Sequence, residues 1–264
     1  VATLGLLLFL IALRYDDQRI TFTALALILA VLGVREFRRL AANRSVAISA
    51  RFEAAASIGL VFLGLLPTLW FERAIIPALL LLLVSAFVVQ MWGRAESDAM
   101  RAVPISFFGP VYVGLPLALG LQVLAEDRLF LLFGLMSVWM ADTGAYLAGR
   151  RYGHTRLAPR LSPGKTVEGL LGGSLACLLA CSLFKFLAPA EAFDYSWFVV
   201  LLVAATTVLL APVGDLAESI LKRDAGVKDS GSAFAGHGGI LDRMDSLLFC
   251  LGGIYTIMRL TGRV

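Results

Sequence analysis

The stretch from Ser219 to Ser246, SILKRDAGVKDSGSAFAGHGGILDRMDS, concentrates the groups that can do chemistry in an otherwise apolar chain. It holds Lys222, Arg223, Asp224, Lys228, Asp229, His237, Asp242, Arg243 and Asp245 around a Gly-His-Gly-Gly turn, with hydrophobic segments on both sides. Charge at that density beside a bilayer is costly unless it meets water or charged ligands. Carboxylates mixed with Lys and Arg suit a divalent metal together with phosphate groups. Hard carboxylate oxygens are what Mg²⁺ accepts, and cationic side chains take phosphate oxygens.

If the apolar segment ending near 214 continues as helix, Asp215, Glu218 or Ser219, and Lys222 lie on one face. Asp242, Asp245 and Ser246 share a face at the start of the next helix. Between them, Gly226, Gly231, Gly236, Gly238 and Gly239 let the backbone turn sharply and approach a ligand closely. The alternative for this stretch is a solvated loop closed by its own ion pairs.

Two further clusters precede it. Asp142 lies in Trp139-Met140-Ala141-Asp142-Thr143-Gly144-Ala145-Tyr146, inside an apolar segment, with Gly149-Arg150-Arg151 following. An acid in a membrane helix is a functional candidate by default. At helical spacing it shares a face with Tyr146 and, a turn further, Gly149; the structural alternative is a hydrogen bond to a neighbouring helix. Next comes Arg156-Leu157-Ala158-Pro159-Arg160-Leu161-Ser162-Pro163-Gly164-Lys165-Thr166, whose Gly-Lys-Thr is like the end of a phosphate-binding P-loop. The match fails, because Pro159 stands where glycine is required and no strand is expected to precede it. Ser162 or Thr166 capping the following helix, with Lys165 beside it, remains an anion site as well as a plain cap.

The elements that must position these residues are membrane helices. Of the 264 residues 59% are hydrophobic and 16% charged, and the mean hydropathy is +0.85. A soluble domain carries about 25% charge. The apolar runs lack the alternation of a β-barrel, which leaves helices as spanning elements. The expected fold class is all-α, a polytopic integral membrane protein with about nine transmembrane helices. The segments are 1–13, 20–34, 54–72, 74–93, 103–124, 129–148, 167–188, 197–214 and 246–260. At Gly109-Pro110 and Gly252-Gly253 the helices are expected either to be broken or to line a cavity rather than face lipid. Segment 1–13 reads as a first helix rather than a signal peptide, having no basic leader. Residues 1–128 form N-terminal transmembrane helices and 129–264 a catalytic transmembrane region, within one membrane domain.

With loop 35–53 in the cytoplasm, 16 Lys and Arg fall inside and 7 outside. That bias puts the N-terminus and both polar regions, 142–168 and 215–246, on the cytoplasmic side. The net charge of +4 follows from the same bias and calls for no nucleic acid, although anionic headgroups would also attract it. Cys177, Cys181 and Cys250 read as small packing residues, and no zinc-ligand spacing occurs.

Ser219-x-x-Lys222-Arg223, Lys228-Asp229 and Gly236-His237-Gly238-Gly239-x-x-Asp242-Arg243-x-Asp245 resemble the signature of phosphatidate cytidylyltransferases, also called CDP-diacylglycerol synthases. Ala141-Asp142, Gly144-Ala145-Tyr146, Gly149-Arg150 and Ser162-Pro163-Gly164-Lys165-Thr166 resemble the same family in the same order. The likeness is strong over 135–250 and elsewhere is only a run of helices. Ala235 stands where the family has proline and His154 where lysine is common; neither removes a group the chemistry needs.

The resemblance implies transfer of CMP from CTP to phosphatidate, a Mg²⁺ or Mn²⁺ requirement, a homodimer, and a bacterial cytoplasmic (inner) membrane location with the site facing the cytosol. Asp215, Asp229, Asp242 and Asp245 would hold metal, with Asp142 in support. Lys165, Lys222, Arg223, Lys228 and Arg243 would bind phosphates. Ser162, Thr166, Ser219, Gly236, Gly238 and Gly239 would shape the nucleotide pocket. His237 would contact a phosphate or orient an acid. Rival readings are CTP-dependent activation of another lipid phosphate, a lipid kinase, and a transporter. A CDP-alcohol phosphotransferase is disfavoured because its Asp-Gly-x-x-Ala-Arg element is missing.

Overall fold

The computed structural model describes residues 18–92, 99–231 and 238–261. The expected segment 1–13, Gly236 and His237 lie outside these residues. Eight helices are described: α1 (Gln18–Asn43), α2 (Ala50–Leu63), α3 (Thr68–Trp92), α4 (Ala99–Glu126), α5 (Arg128–Tyr152), α6 (Val167–Leu187), α7 (Trp197–Asp224) and α8 (Leu241–Leu260). The chain is an all-α polytopic membrane protein. Six of these helices (α1 and α3 to α7) are long and apolar enough to cross a membrane. The one non-helical element pair among the described residues is a two-stranded antiparallel hairpin, β1 (Arg156–Ala158) and β2 (Ser162–Thr166), paired Arg156 to Thr166 and Ala158 to Ser162.

α5 and α6 begin where their apolar runs begin, and capping explains both starts, whereas α1 and α7 continue past their apolar runs to Asn43 and Asp224. Asp127 caps α5 by accepting from the Phe130 N–H (2.9 Å), and its other oxygen accepts from the Tyr195 hydroxyl (2.7 Å). Thr166 caps α6, as one of the two expected hydroxyls, accepting from the Gly169 N–H at 3.1 Å. One expectation is corrected and one pair of alternatives is narrowed. The second and third described helices divide at 64–67 rather than at Arg73, because Gly64 and Pro67 interrupt the ladder whereas a lone Arg does not. The helices also run unbroken through Gly109-Pro110 and Gly252-Gly253. α4 even carries Pro104, Pro110 and Pro116, each removing one N–H from the ladder without ending it.

The chain resolves into two compact units. One comprises residues 123–220 and 244–261. In it α5 and α6 meet along a seam of small residues, where a Cβ on Gly173 would lie 2.6 Å from the Ala141 carbonyl oxygen and one on Gly169 2.9 Å from that of Ala145. α7 and α8 touch backbone to backbone where Gly214 meets Asp245. The other unit comprises the described residues of 18–122 and 221–243. There Phe37, Phe108 and Tyr112 stack between α1 and α4, and the Gln122 amide donates to the carbonyls of Gly64 (2.9 Å) and Leu66 (2.7 Å), closing the α2–α3 turn.

Candidate functional site

In the first unit the chemistry gathers around Lys165. β2 carries this lysine, and its ammonium pairs with Asp215 of α7 at 2.6 Å; the two side chains are 20% and 37% exposed. The residues leading into the hairpin are tied to the start of α6, and the hairpin is closed on itself. The Glu168 carboxylate accepts from the N–H groups of His154 and Thr155 (3.1 Å each), while the Arg156 guanidinium donates to the Pro163 carbonyl. A strand does precede Gly-Lys-Thr, contrary to the sequence reading, but the Lys and Thr lie within the antiparallel partner strand and not in a loop, so no phosphate-cradling P-loop forms.

Asp245 of α8 lies within electrostatic reach of Asp215, Glu218 and Asp142, and Asp142 within reach of Asp215 and Lys165. Ser246, which is buried, donates its hydroxyl to Asp142 at 3.5 Å and its N–H to Asp245 at 2.7 Å. Glu218 is fully buried on α7, one turn from Asp215. Four carboxylates thus share one neighbourhood with one lysine. Packing explains the convergence. The α5–α6 seam brings Asp142 toward the hairpin, and the absence of a side chain at Gly214 lets α8 present Asp245 beside Asp215. Gly149 lies one further turn along the Asp142 face of α5, as expected, and packs beside Thr166 and Gly169.

The second unit holds a different arrangement. α7 ends in a Schellman turn: Val227 N–H reaches the Lys222 carbonyl (3.0 Å), Gly226 N–H reaches that of Arg223 (3.1 Å), and Gly226 takes a φ of +71°. Lys222 then donates to Asp242 Oδ1. Asp242 Oδ2 accepts from the Gly239 N–H (2.7 Å), the Ser230 N–H (3.0 Å) and the Ser230 hydroxyl (2.9 Å). Burial works against this charge, but the Lys222 ammonium and the Gly239 and Ser230 N–H groups outweigh it and hold the carboxyl below the usual aspartate range. Ser230 also contacts Glu36 Oε2 at 3.0 Å, and the Leu241 N–H donates to the same oxygen at 2.9 Å.

Each unit holds part of the expected set of site residues. Asp142, Lys165, Asp215 and Asp245 meet in the first unit, where Ser219 is buried on α7 and Ser162 opens β2. Lys222, Gly238, Gly239 and Asp242 meet in the second. Arg223, Lys228 and Asp229 are exposed on or after the end of α7, and Arg243 follows Asp242 on α8. Sequence reasoning missed Glu36. It stands among Arg35, Arg38 and Arg39 and reads as part of a solvated basic loop, yet it is 3% exposed on α1.

Among the described residues no three His, Cys, Asp or Glu side chains converge as a ready-made metal cage. The Lys165 neighbourhood fits Mg²⁺ in another way. This ion keeps several waters and takes one or two carboxylates plus substrate phosphates, and the donor set here is oxygen-only and anionic in excess.

A cytidylyltransferase family model matches residues 1–261. The chain is 30% identical over 252 residues to a phosphatidate cytidylyltransferase of Staphylococcus haemolyticus, covering 95% of this chain and 94% of that one. It is 44% identical over 142 residues to the Staphylococcus saprophyticus protein of the same name, 53% of each chain. It is 37% identical over 174 residues to that of Staphylococcus aureus, a match spanning 64% of this chain and 65% of the relative's length.

Proposed function

The chain belongs to the cytidylyltransferase family, and from that premise we propose that it transfers CMP from CTP to phosphatidate, giving CDP-diacylglycerol and pyrophosphate. An oxygen of the phosphatidate phosphate attacks the α-phosphorus of CTP. The bond from that phosphorus to the bridging oxygen breaks, and pyrophosphate leaves with the electron pair. The attacking phosphate is already anionic near neutral pH, so no general base is needed, and His237 is assigned to phosphate contact or orientation. The observation that carries the reading is the meeting of Asp142 and Asp215 with Lys165, and of Asp245 with Asp142, Asp215 and Glu218, in a helical membrane unit, in a chain similar over 95% of its length to a phosphatidate cytidylyltransferase.

A bound Mg²⁺ (or Mn²⁺) would neutralise charge on the phosphates of CTP. Asp215 and Asp245 are the residues proposed to hold it, with Asp142 in support. The same role is proposed for Asp242, once Lys222 turns from it to a phosphate, and for the exposed Asp229. Lys165, released from Asp215, takes a phosphate oxygen, as do Arg223, Lys228 and Arg243. Ser162, Ser219 and the glycines at 236, 238 and 239 contact the nucleotide, and Thr166 acts by fixing the hairpin that carries Lys165. The work left to the protein is positioning and charge neutralisation. The proposal includes a homodimer in the bacterial cytoplasmic membrane, its site facing the cytosol, where CTP is found.

Purified full-length protein is expected to form CDP-diacylglycerol from CTP and phosphatidate. Product from another lipid phosphate, with none from phosphatidate, would replace the substrate but keep the reaction. Solute flux into liposomes without CTP turnover would replace the reaction.

A further inference from the structure

Glu36 has no place in the chemistry above, yet its carboxylate lies at the centre of the glycine-rich segment. Its Oε2 accepts from the Leu241 N–H (2.9 Å) and from Ser230 Oγ (3.0 Å), 205 and 194 residues away in sequence. The two glycines beside it are explained by the same group. A Cβ at Gly231 and a Cβ at Gly239 would each lie 2.7 Å from the Glu36 carboxyl carbon, closer than real Cβ contacts allow. Gly231 and Gly239 therefore admit a carboxylate of the chain itself, where the sequence suggests room for a ligand.

We propose that Glu36 is a positioning residue for nucleotidyl transfer: the post that holds Ser230 and Leu241 so that Asp242 and Lys222 are correctly presented. The proposal rests on the reading in the preceding section. The linkage is short. Ser230 Oγ lies 3.0 Å from Glu36 Oε2 and 2.9 Å from Asp242 Oδ2, so the two carboxylates share the single proton of one hydroxyl. Leu241, held by its N–H, immediately precedes Asp242 and opens α8. Burial makes these bonds matter: Glu36 and Ser230 are 3% and 4% exposed and Leu241 is fully buried, so no water replaces a lost acceptor.

The test uses full-length protein in detergent carrying Glu36→Ala, Glu36→Gln or Ser230→Ala. Kinetics for CTP are normalised to folded protein, and amide exchange is followed at Leu241. Glu36→Ala is expected to lower kcat/KM about tenfold to a hundredfold per folded molecule and to speed exchange at Leu241. Glu36→Gln is expected to restore both to within about threefold, because one carbonyl oxygen can accept the two bonds that Oε2 accepts. A purely architectural Glu36 would change the melting temperature and leave kcat/KM per folded molecule unchanged, which overturns the proposal. So does a Gln variant as damaged as Ala. If Glu36→Ala does not fold, Ser230→Ala decides: slowed turnover supports the proposal, and wild-type turnover overturns it. Should the wild type release no pyrophosphate from CTP and phosphatidate, the functional reading fails, and Leu241 exchange in Glu36→Ala still reports on the hold itself.

Discussion

Two aspartate–lysine pairs built from the same residue types do different things. Lys165 and Asp215 meet where their side chains are 20% and 37% exposed, beside further carboxylates. Lys222 and Asp242 meet with both side chains 12% exposed, and each Asp242 oxygen is already hydrogen-bonded. The first pair lies beside further carboxylates and its Asp215 side chain is partly exposed, the condition under which a cation and a phosphate can enter. The second is a closed network that organises a turn. Residue type proposes chemistry; the number of satisfied bonds around it says how much must be displaced before a ligand can enter.

The comparison breaks or sharpens through substitutions. The largest effect is expected at the open cluster: Asp215→Asn or Asp245→Asn should cut turnover about a thousandfold by removing charge stabilisation. The melting temperature should hold or rise, since repulsion among the neighbouring carboxylates is relieved. Asp242→Asn should also lose turnover, but with about 3 kcal/mol of stability, because it leaves Lys222 buried without its counter-charge. Thermal denaturation of the two variants side by side checks this difference, and equal melting curves would erase it. Lys165→Met should slow turnover about tenfold to a hundredfold with the fold intact, read as kcat/KM for CTP.

Smaller effects test what places the open cluster. Gly173→Ala forces a methyl against the Ala141 carbonyl, 2.6 Å away, and should cost about 2 kcal/mol while lowering activity through the displaced Asp142. Glu53→Met should do the reverse. Glu53 is 1% exposed with neither carboxyl oxygen hydrogen-bonded within the protein. Removing that buried polar group should add about 1 kcal/mol, seen as a higher melting temperature with unchanged turnover.

Much of this was legible from sequence. Long apolar runs announce membrane helices through length alone, and Asp127 and Thr166 end or begin helices through capping chemistry that a short window contains. The joint of Asp142, Lys165, Asp215 and Asp245 was legible as a set of candidates but not as a contact, since nothing local pairs residues 50 positions apart. The Arg73 boundary failed because one charge does not stop a helix, whereas Gly64 and Pro67 do. Glu36 failed for a deeper reason. Beside three arginines it looks solvated, and its partners, Ser230 and Leu241, are distant in sequence and recognisable only once the chain is folded. The glycines misled in the same way: small residues announce a close approach without saying what approaches.

The central claim is tested most directly by pyrophosphate release from CTP and phosphatidate across a Mg²⁺ titration, with wild type and Asp215→Asn measured together. The account predicts release by the wild type only when CTP, lipid and metal are all present. Asp215→Asn should be silent at every Mg²⁺ concentration despite an unimpaired melting temperature. Normal turnover by Asp215→Asn, or wild-type release that needs neither metal nor lipid, would contradict it.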